Sequence, residues 1–264
     1  MTGRCKQAKQ THGSAMKRNK VMDWLAYIGL RVVIALIQST SLENCQRTVR
    51  VAAYGLAHWL PLRRSTIDEN LKMVMPTLSD SQLGRLREAM WEHLLLMVCE
   101  IAHAPRKIHR TNWRDHFYIP HKKEMFRVLM GPRPTILVTG HFGNFELAGF
   151  ATGLFGIPST TIARPLDNPY VHEYVNHFRS LGGQHMLDKA GSAVPVQEIL
   201  EAGGALALLA DQHAGPKGCW TEFLGQPASC HKALALFVSS DRRPLMFGAV
   251  AGTTIGTIGH ATEW

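Results

Sequence analysis

Cysteine is scarce here and unpaired. Cys5, Cys45, Cys99, Cys219 and Cys230 are an odd number with no close spacing, which argues against a disulfide framework and fits a reducing compartment. Acidic residues are missing altogether before Asp23, while Arg4, Lys6, Lys9, Lys17, Arg18 and Lys20 crowd the same stretch. Such an arm seeks an anionic surface. No Gly-x-Ser-x-Gly occurs, which argues against the nucleophile elbow of an α/β-hydrolase and so against a lipid-acting serine hydrolase of that kind. Interleaved aromatic and basic residues of the nucleic-acid recognition modules are also lacking. The net charge of +9 is therefore assigned to an anionic membrane or an acidic carrier rather than to nucleic acid. A non-enzymatic binder of anionic surfaces remains the rival reading of that charge.

A long, clean apolar run is absent too. Val21 to Ile37 is mostly apolar but carries Asp23 and Arg31. A spanning helix wants ~20 apolar residues, and a charge near its centre costs ~3 kcal/mol on insertion scales. The segment is expected to form an interfacial helix or a marginal span, with a buried helix packed on the domain as the alternative. No small-residue cleavage pattern follows it closely, so it does not read as a signal peptide. No internal repeat breaks the remainder.

What is present fits one domain. With 264 residues, 45% of them hydrophobic, the chain can bury one substantial core. Residues 1–40 are taken as a basic arm and membrane-associating helix, and residues 41–264 as the folded domain. From Ser41 to His109 the periodicity is helical, with Leu83, Leu86, Met90, Leu94 and Met97 on one face and Ser79 or Asp80 as the cap. Pro105 to Arg127 reads as a basic connector.

From Thr135 the pattern changes to short apolar runs that end in polar loops. TILVTG leads into HFGNFE, Pro158–Ala163 into RPLDNP, and Ala205–Ala210 into DQHAGPKG, with helical segments at Tyr170–Leu181 and Val194–Ala202 between them. This predicts an α/β fold: a mixed, mainly parallel central sheet flanked by helices. Ligands bind such sheets beyond the carboxyl ends of the strands, where the three loops are expected to converge. The terminal GTTIGTIGHATEW reads as a further strand and an abrupt stop.

The first loop carries the chemistry. His141 and Glu146 lie five residues apart across a helix start. With Asn144 as N-cap, Glu146 falls in the first turn, where the helix dipole keeps it ionised. It can then accept a hydrogen bond from one ring nitrogen of His141 and leave the other as a general base. Acyl transfer from a thioester to an alcohol needs little more, because the donor is already activated. Gly140 and Gly143 allow close backbone approach, and free N–H groups at the helix start can face a developing oxyanion. Alone, a His and a Glu at this spacing would be a surface capping pair. A zinc site from His213, Cys219, Cys230 and His231 matches no familiar ligand spacing, and no metal is expected.

TGHFGNFELAG resembles the His-x-x-x-x-Glu motif of the bacterial lipid A late acyltransferases, relatives of the lysophospholipid acyltransferases. RRSTIDENLKMVMPTLS, IARPLDNP, LLADQHAGPKG and FLGQPAS are similar to further blocks of that family in the same order, from about Tyr54 to Val250. The resemblance implies His141 as base and Glu146 as its partner. It implies Arg164 as a contact to phosphate or to site carboxylates, and Asp211 as an acidic residue that orders the site through Arg164. Gly143, Asn144 and Asn168 complete the candidate substrate-binding set, with Arg179 and Lys189 as looser candidates for phosphate contact.

The activity implied is transfer of a fatty acyl group to a hydroxyl of a lipid A precursor, or alternatively of a lysophospholipid. The donor is an acyl carrier protein or coenzyme A thioester, a co-substrate, with no bound cofactor. The implied place is the cytoplasmic face of a bacterial inner membrane. Family members commonly continue for another strand and helix beyond the position of Gly259, which leaves truncation and a compact variant as the two readings of the C-terminus.

Overall fold

The computed structural model describes residues 19–60, 62–189, 191–232, 235, 237 and 245–247. The arm from Arg4 to Arg18, Cys5, and the strand expected in the last segment lie outside the described residues.

Among the described residues four helices come first: α1 (Lys20–Ser39), α2 (Leu42–His58), α3 (Arg64–Val74) and α4 (Asp80–Lys107). Ser79 starts α4 with a capping box: its hydroxyl accepts from the Gln82 N–H, and the Gln82 side chain accepts from the Ser79 N–H. Two N–H groups that a helix start leaves orphaned are thereby satisfied. α2 packs on α4 through Leu42, Cys45, Val49, Leu96 and Cys99. Arg87, 6% exposed, holds α3 by donating to Asp68 at 2.6 Å.

The buried stripe of α4 differs from the one the spacing suggested. Met90 and Leu94 are 37% and 40% exposed, whereas Arg87, Leu96, Cys99, Glu100 and His103 are buried. α4 contacts α2, α1 and α6 in turn along its length, so no single 3.6-residue face stays covered. Pro105 lies in its last turn rather than ending it, where a missing N–H removes one ladder bond near a frayed end. A 3-10 turn (Trp113–Asp115) and α5 (Lys122–Leu129) then occupy much of the expected connector.

The sheet follows: β1 (Thr135–Thr139), α6 (Phe145–Leu154), β2 (Ser159–Ala163), α7 (Pro169–Leu181), β3 (Gln184–Asp188), α8 (Ala193–Glu201), β4 (Ala205–Leu209) and, after a hairpin of β5 (Cys219–Phe223) and β6 (Gln226–Cys230), β7 (Leu245–Phe247). Strand order is β3-β2-β4-β1-β7, and every described pair in it is parallel. Parallel strands need crossovers, which α6, α7 and α8 supply. The chain is thus α/β as expected, with the antiparallel β5–β6 hairpin standing apart from the sheet.

Ile136, Val138, Leu206, Val196 and Leu200 form the core between the sheet and α8. Leu147 and Phe150 of α6 join Trp113, Ala104 and Ile108 in a second core. Phe150 stacks on Phe178 at 5.5 Å, and Phe155 meets Trp113 at 4.5 Å. These rings fill core; Phe142, 59% exposed, does not.

Candidate active site

β1 and β4 are neighbours in register, Thr139 opposite Leu209, so the loops that follow them emerge side by side. The first begins Gly140-His141 and the second Ala210-Asp211-Gln212. His141 Nδ1 lies 2.8 Å from Asp211 Oδ1, and the His141 backbone N–H donates to Asp211 Oδ2 at 2.6 Å. Gly140 permits this approach, because a Cβ there would stand 2.9 Å from Oδ2. Gly143 turns the chain into α6 at φ 59°, a left-handed conformation that glycine adopts freely.

Burial pushes the Asp211 carboxyl up, but hydrogen bonds from the His141 ring and backbone, with the attraction of the ring, outweigh it and hold it below the usual carboxylate range. An ionised Asp211 accepts from Nδ1–H, which leaves Nε2 as the basic nitrogen. Nε2 has the Gln212 side chain 3.5 Å away, and the ring meets Phe145 edge-on at 4.8 Å. The His141 side chain remains 38% exposed, open to an incoming hydroxyl.

Asp211 is therefore on His141 directly, not acting through Arg164 as the resemblance suggested. Arg164 pairs with Asp167 at 3.4 Å, both more than 80% exposed, out on the loop after β2. Glu146 does stand in the first turn of α6, yet its carboxylate is gripped by Arg179, whose Nε donates to Oε2 at 3.0 Å and whose Nη2 donates to Oε1. That pair is about one-fifth exposed. Asp211, rather than the expected Glu146, accepts the hydrogen bond from the imidazole.

Asn144 is the N-cap, accepting from the Leu147 N–H at 3.2 Å. It is 1% exposed, and its amide donates to Glu100 at 2.8 Å. Its side chain thus anchors the loop to α4 from behind. Glu100 is 1% exposed, and burial pushes its carboxyl up to about 7 against the opposing pull of the Asn144 bond. Asn168 caps α7 through the Tyr170 and Val171 N–H groups and donates to the Asp23 carbonyl at 2.7 Å, tying α1 to α7. Lys189 is exposed beyond β3. No cluster of His, Cys, Asp or Glu able to hold a metal is found among the described residues.

The Asp211 contact and the Glu100 anchor depend on strand order and helix packing, for which the sequence carries no local signal. Arg179 was legible only as a basic residue on a helix surface.

An exposed imidazole held by a carboxylate thus stands at the carboxyl end of a parallel sheet, with a helix starting beside it. A family model, bacterial lipid A biosynthesis acyltransferase, matches residues 9–246, nearly the whole chain, and the chain belongs to that family. It is accordingly an acyltransferase of lipid A type. No curated protein matches the sequence.

Proposed function

We propose that this acyltransferase moves a fatty acyl group from an acyl carrier protein or coenzyme A thioester onto a hydroxyl of a lipid A precursor, with His141 as general base. The observation that carries the reading is the His141 Nδ1–Asp211 hydrogen bond, which leaves Nε2 as the basic nitrogen of a side chain 38% exposed. As the hydroxyl oxygen attacks the thioester carbonyl, Nε2 takes its proton and the C–O bond forms. Collapse of the tetrahedral intermediate breaks the C–S bond, and the departing thiolate receives the proton from the imidazolium.

Glu146 acts without touching the imidazole. Held by Arg179 in the first turn of α6, it fixes the start of that helix beside the imidazole while Asp211 fixes the tautomer. N–H groups at the start of α6 that lie outside the helix ladder are available to the oxyanion.

α1 supports attachment at the cytoplasmic face of an inner membrane. It is long and apolar enough to cross a bilayer, with a mean hydropathy of 1.6. Its polar side chains lie toward the neighbouring helices, however: Gln38 donates to the Ala102 carbonyl of α4 at 2.7 Å, and the exposed Arg31 guanidinium lies 5.0 Å from the Tyr174 ring of α7. Val21, Leu25, Val32 and Leu36 face outward, each at least half exposed. A helix docked by its polar stripe and apolar outside suits an interfacial position.

The test uses detergent-purified full chain and His141→Ala with carrier-protein and coenzyme A thioesters against lipid A precursor and lysophospholipid acceptors. Thiol release that requires the glycolipid and falls about 10²-fold or more in the variant is expected. Equal rates in both proteins would remove His141 as base, and preference for the lysophospholipid would replace the acceptor.

A further inference from the structure

α1 and α7 border a half-open cavity of about 480 Å³ lined by Tyr27, Arg31, Tyr170, Glu173, Tyr174 and His177. We propose that this cavity is a lipid head-group site that takes the phosphate ester of a membrane lipid on Arg31 and His177. It is separate from the His141–Asp211 pair and rests on the reading of α1 as a lipid-facing helix.

Arg31 lies past the middle of a mostly apolar helix and turns toward α7. Its guanidinium sits 5.0 Å from the Tyr174 ring centroid and 5.8 Å from that of Tyr27. One N–H is used on the Tyr27 hydroxyl. Among the described residues no carboxylate pairs with it, although Glu173 lines the same space. A guanidinium carries five N–H donors in a planar fork that matches phosphate oxygens, so an exposed Arg31 retains donors for a ligand.

The other walls suit the same ligand. His177 adds a ring N–H from the next turn of α7. Glu173 can accept from a hydroxyl of the head group, and three tyrosines offer ring faces and phenol groups of the kind found at membrane interfaces. Arg31 borders the outward apolar face of α1, where Ile28 and Val32 are 37% and 53% exposed. Acyl chains can therefore lie along α1 while the phosphate enters the cavity.

The experiment is native mass spectrometry of the full chain in neutral detergent, titrated with phosphatidylglycerol, with diacylglycerol of the same chains, or with glycerol 3-phosphate. Phosphatidylglycerol adducts are expected, with diacylglycerol and glycerol 3-phosphate each binding at least about tenfold more weakly. Arg31→Gln should weaken phosphatidylglycerol about tenfold, Arg31→Lys less, and His177→Gln about threefold.

Equal binding of diacylglycerol, or unchanged binding by Arg31→Gln, would overturn the site. Equal binding of glycerol 3-phosphate would make it a site for soluble phosphates and overturn the lipid assignment. His177→Gln keeps the Arg31–tyrosine contacts between α1 and α7, so it decides the matter if Arg31→Gln loses its fold. His141→Ala should bind phosphatidylglycerol as the unaltered chain does, which separates this site from the catalytic reading.

Discussion

Two carboxylates close to the same helix start behave differently. Glu146, in the first turn of α6, is mostly covered and gripped through two hydrogen bonds by Arg179. Asp211, on the loop after β4, is nearly half exposed and holds a histidine. A mostly buried ion pair is sensitive to loss of one partner, because the remaining charge is left desolvated. An exposed pair contributes little to stability, so the value of Asp211 lies in where it aims the ring. Removing Arg179 should damage the fold, and altering Asp211 should damage the reaction.

The largest effect is expected from Asp211→Asn. An amide can present its N–H to Nδ1 and favour the wrong tautomer, so kcat should fall about 10²–10⁴-fold while the melting temperature stays within a degree or two, roughly. Acyl-transfer kinetics with thermal melts check it, and a large loss of stability with intact kcat would reverse the roles of the two carboxylates. Next comes Arg179→Ala, which leaves Glu146 without its partner and should cost about 2–4 kcal/mol in denaturant unfolding. Adding Glu146→Gln should restore part of that loss. If the double variant is no more stable than the single, the pair is not what Arg179 supplies.

The smallest effect concerns Glu100, which supports both regions from behind through Asn144. Its carboxyl is raised in the folded chain, so between its ordinary value of 4.5 and about 7 the folded state holds more protons than the unfolded state. Stability should therefore fall as pH rises through that window, by at most ~3 kcal/mol, and level off above it. Glu100→Gln should flatten this slope, as measured by denaturant midpoints from pH 4.5 to 7.5. An unchanged slope would place the titrating group elsewhere.

Much of the fold was legible in advance because it rests on local pattern. The runs before His141, Arg164 and Asp211 became β1, β2 and β4, and Ser79 and Asn144 capped helices through side chains that bond their own backbone neighbours. β3 escaped, since QHMLD lacks clear alternation, and so did the β5–β6 hairpin, where every residue of CWTEF is exposed and no buried face sets a period. Met90 and Leu94 misled because helical periodicity identifies a face without saying which neighbour will cover it.

For the site, composition and motif order brought out His141, Glu146 and Asp211 as residues, and the family follows from that order. Their pairing did not, because a hydrogen bond between positions 141 and 211 exists only once β4 lies beside β1. The sequence by itself determined the main helices, the strands that lead into the three polar loops, the basic charge and the chemistry available, since these depend on side chains and near neighbours. Only the tertiary structure decided which carboxylate orients the imidazole, which is held by Arg179, and that Arg31 and Gln38 of α1 lie beside α7 and α4. Those outcomes depend on strand order and helix packing, which bring together groups far apart along the chain.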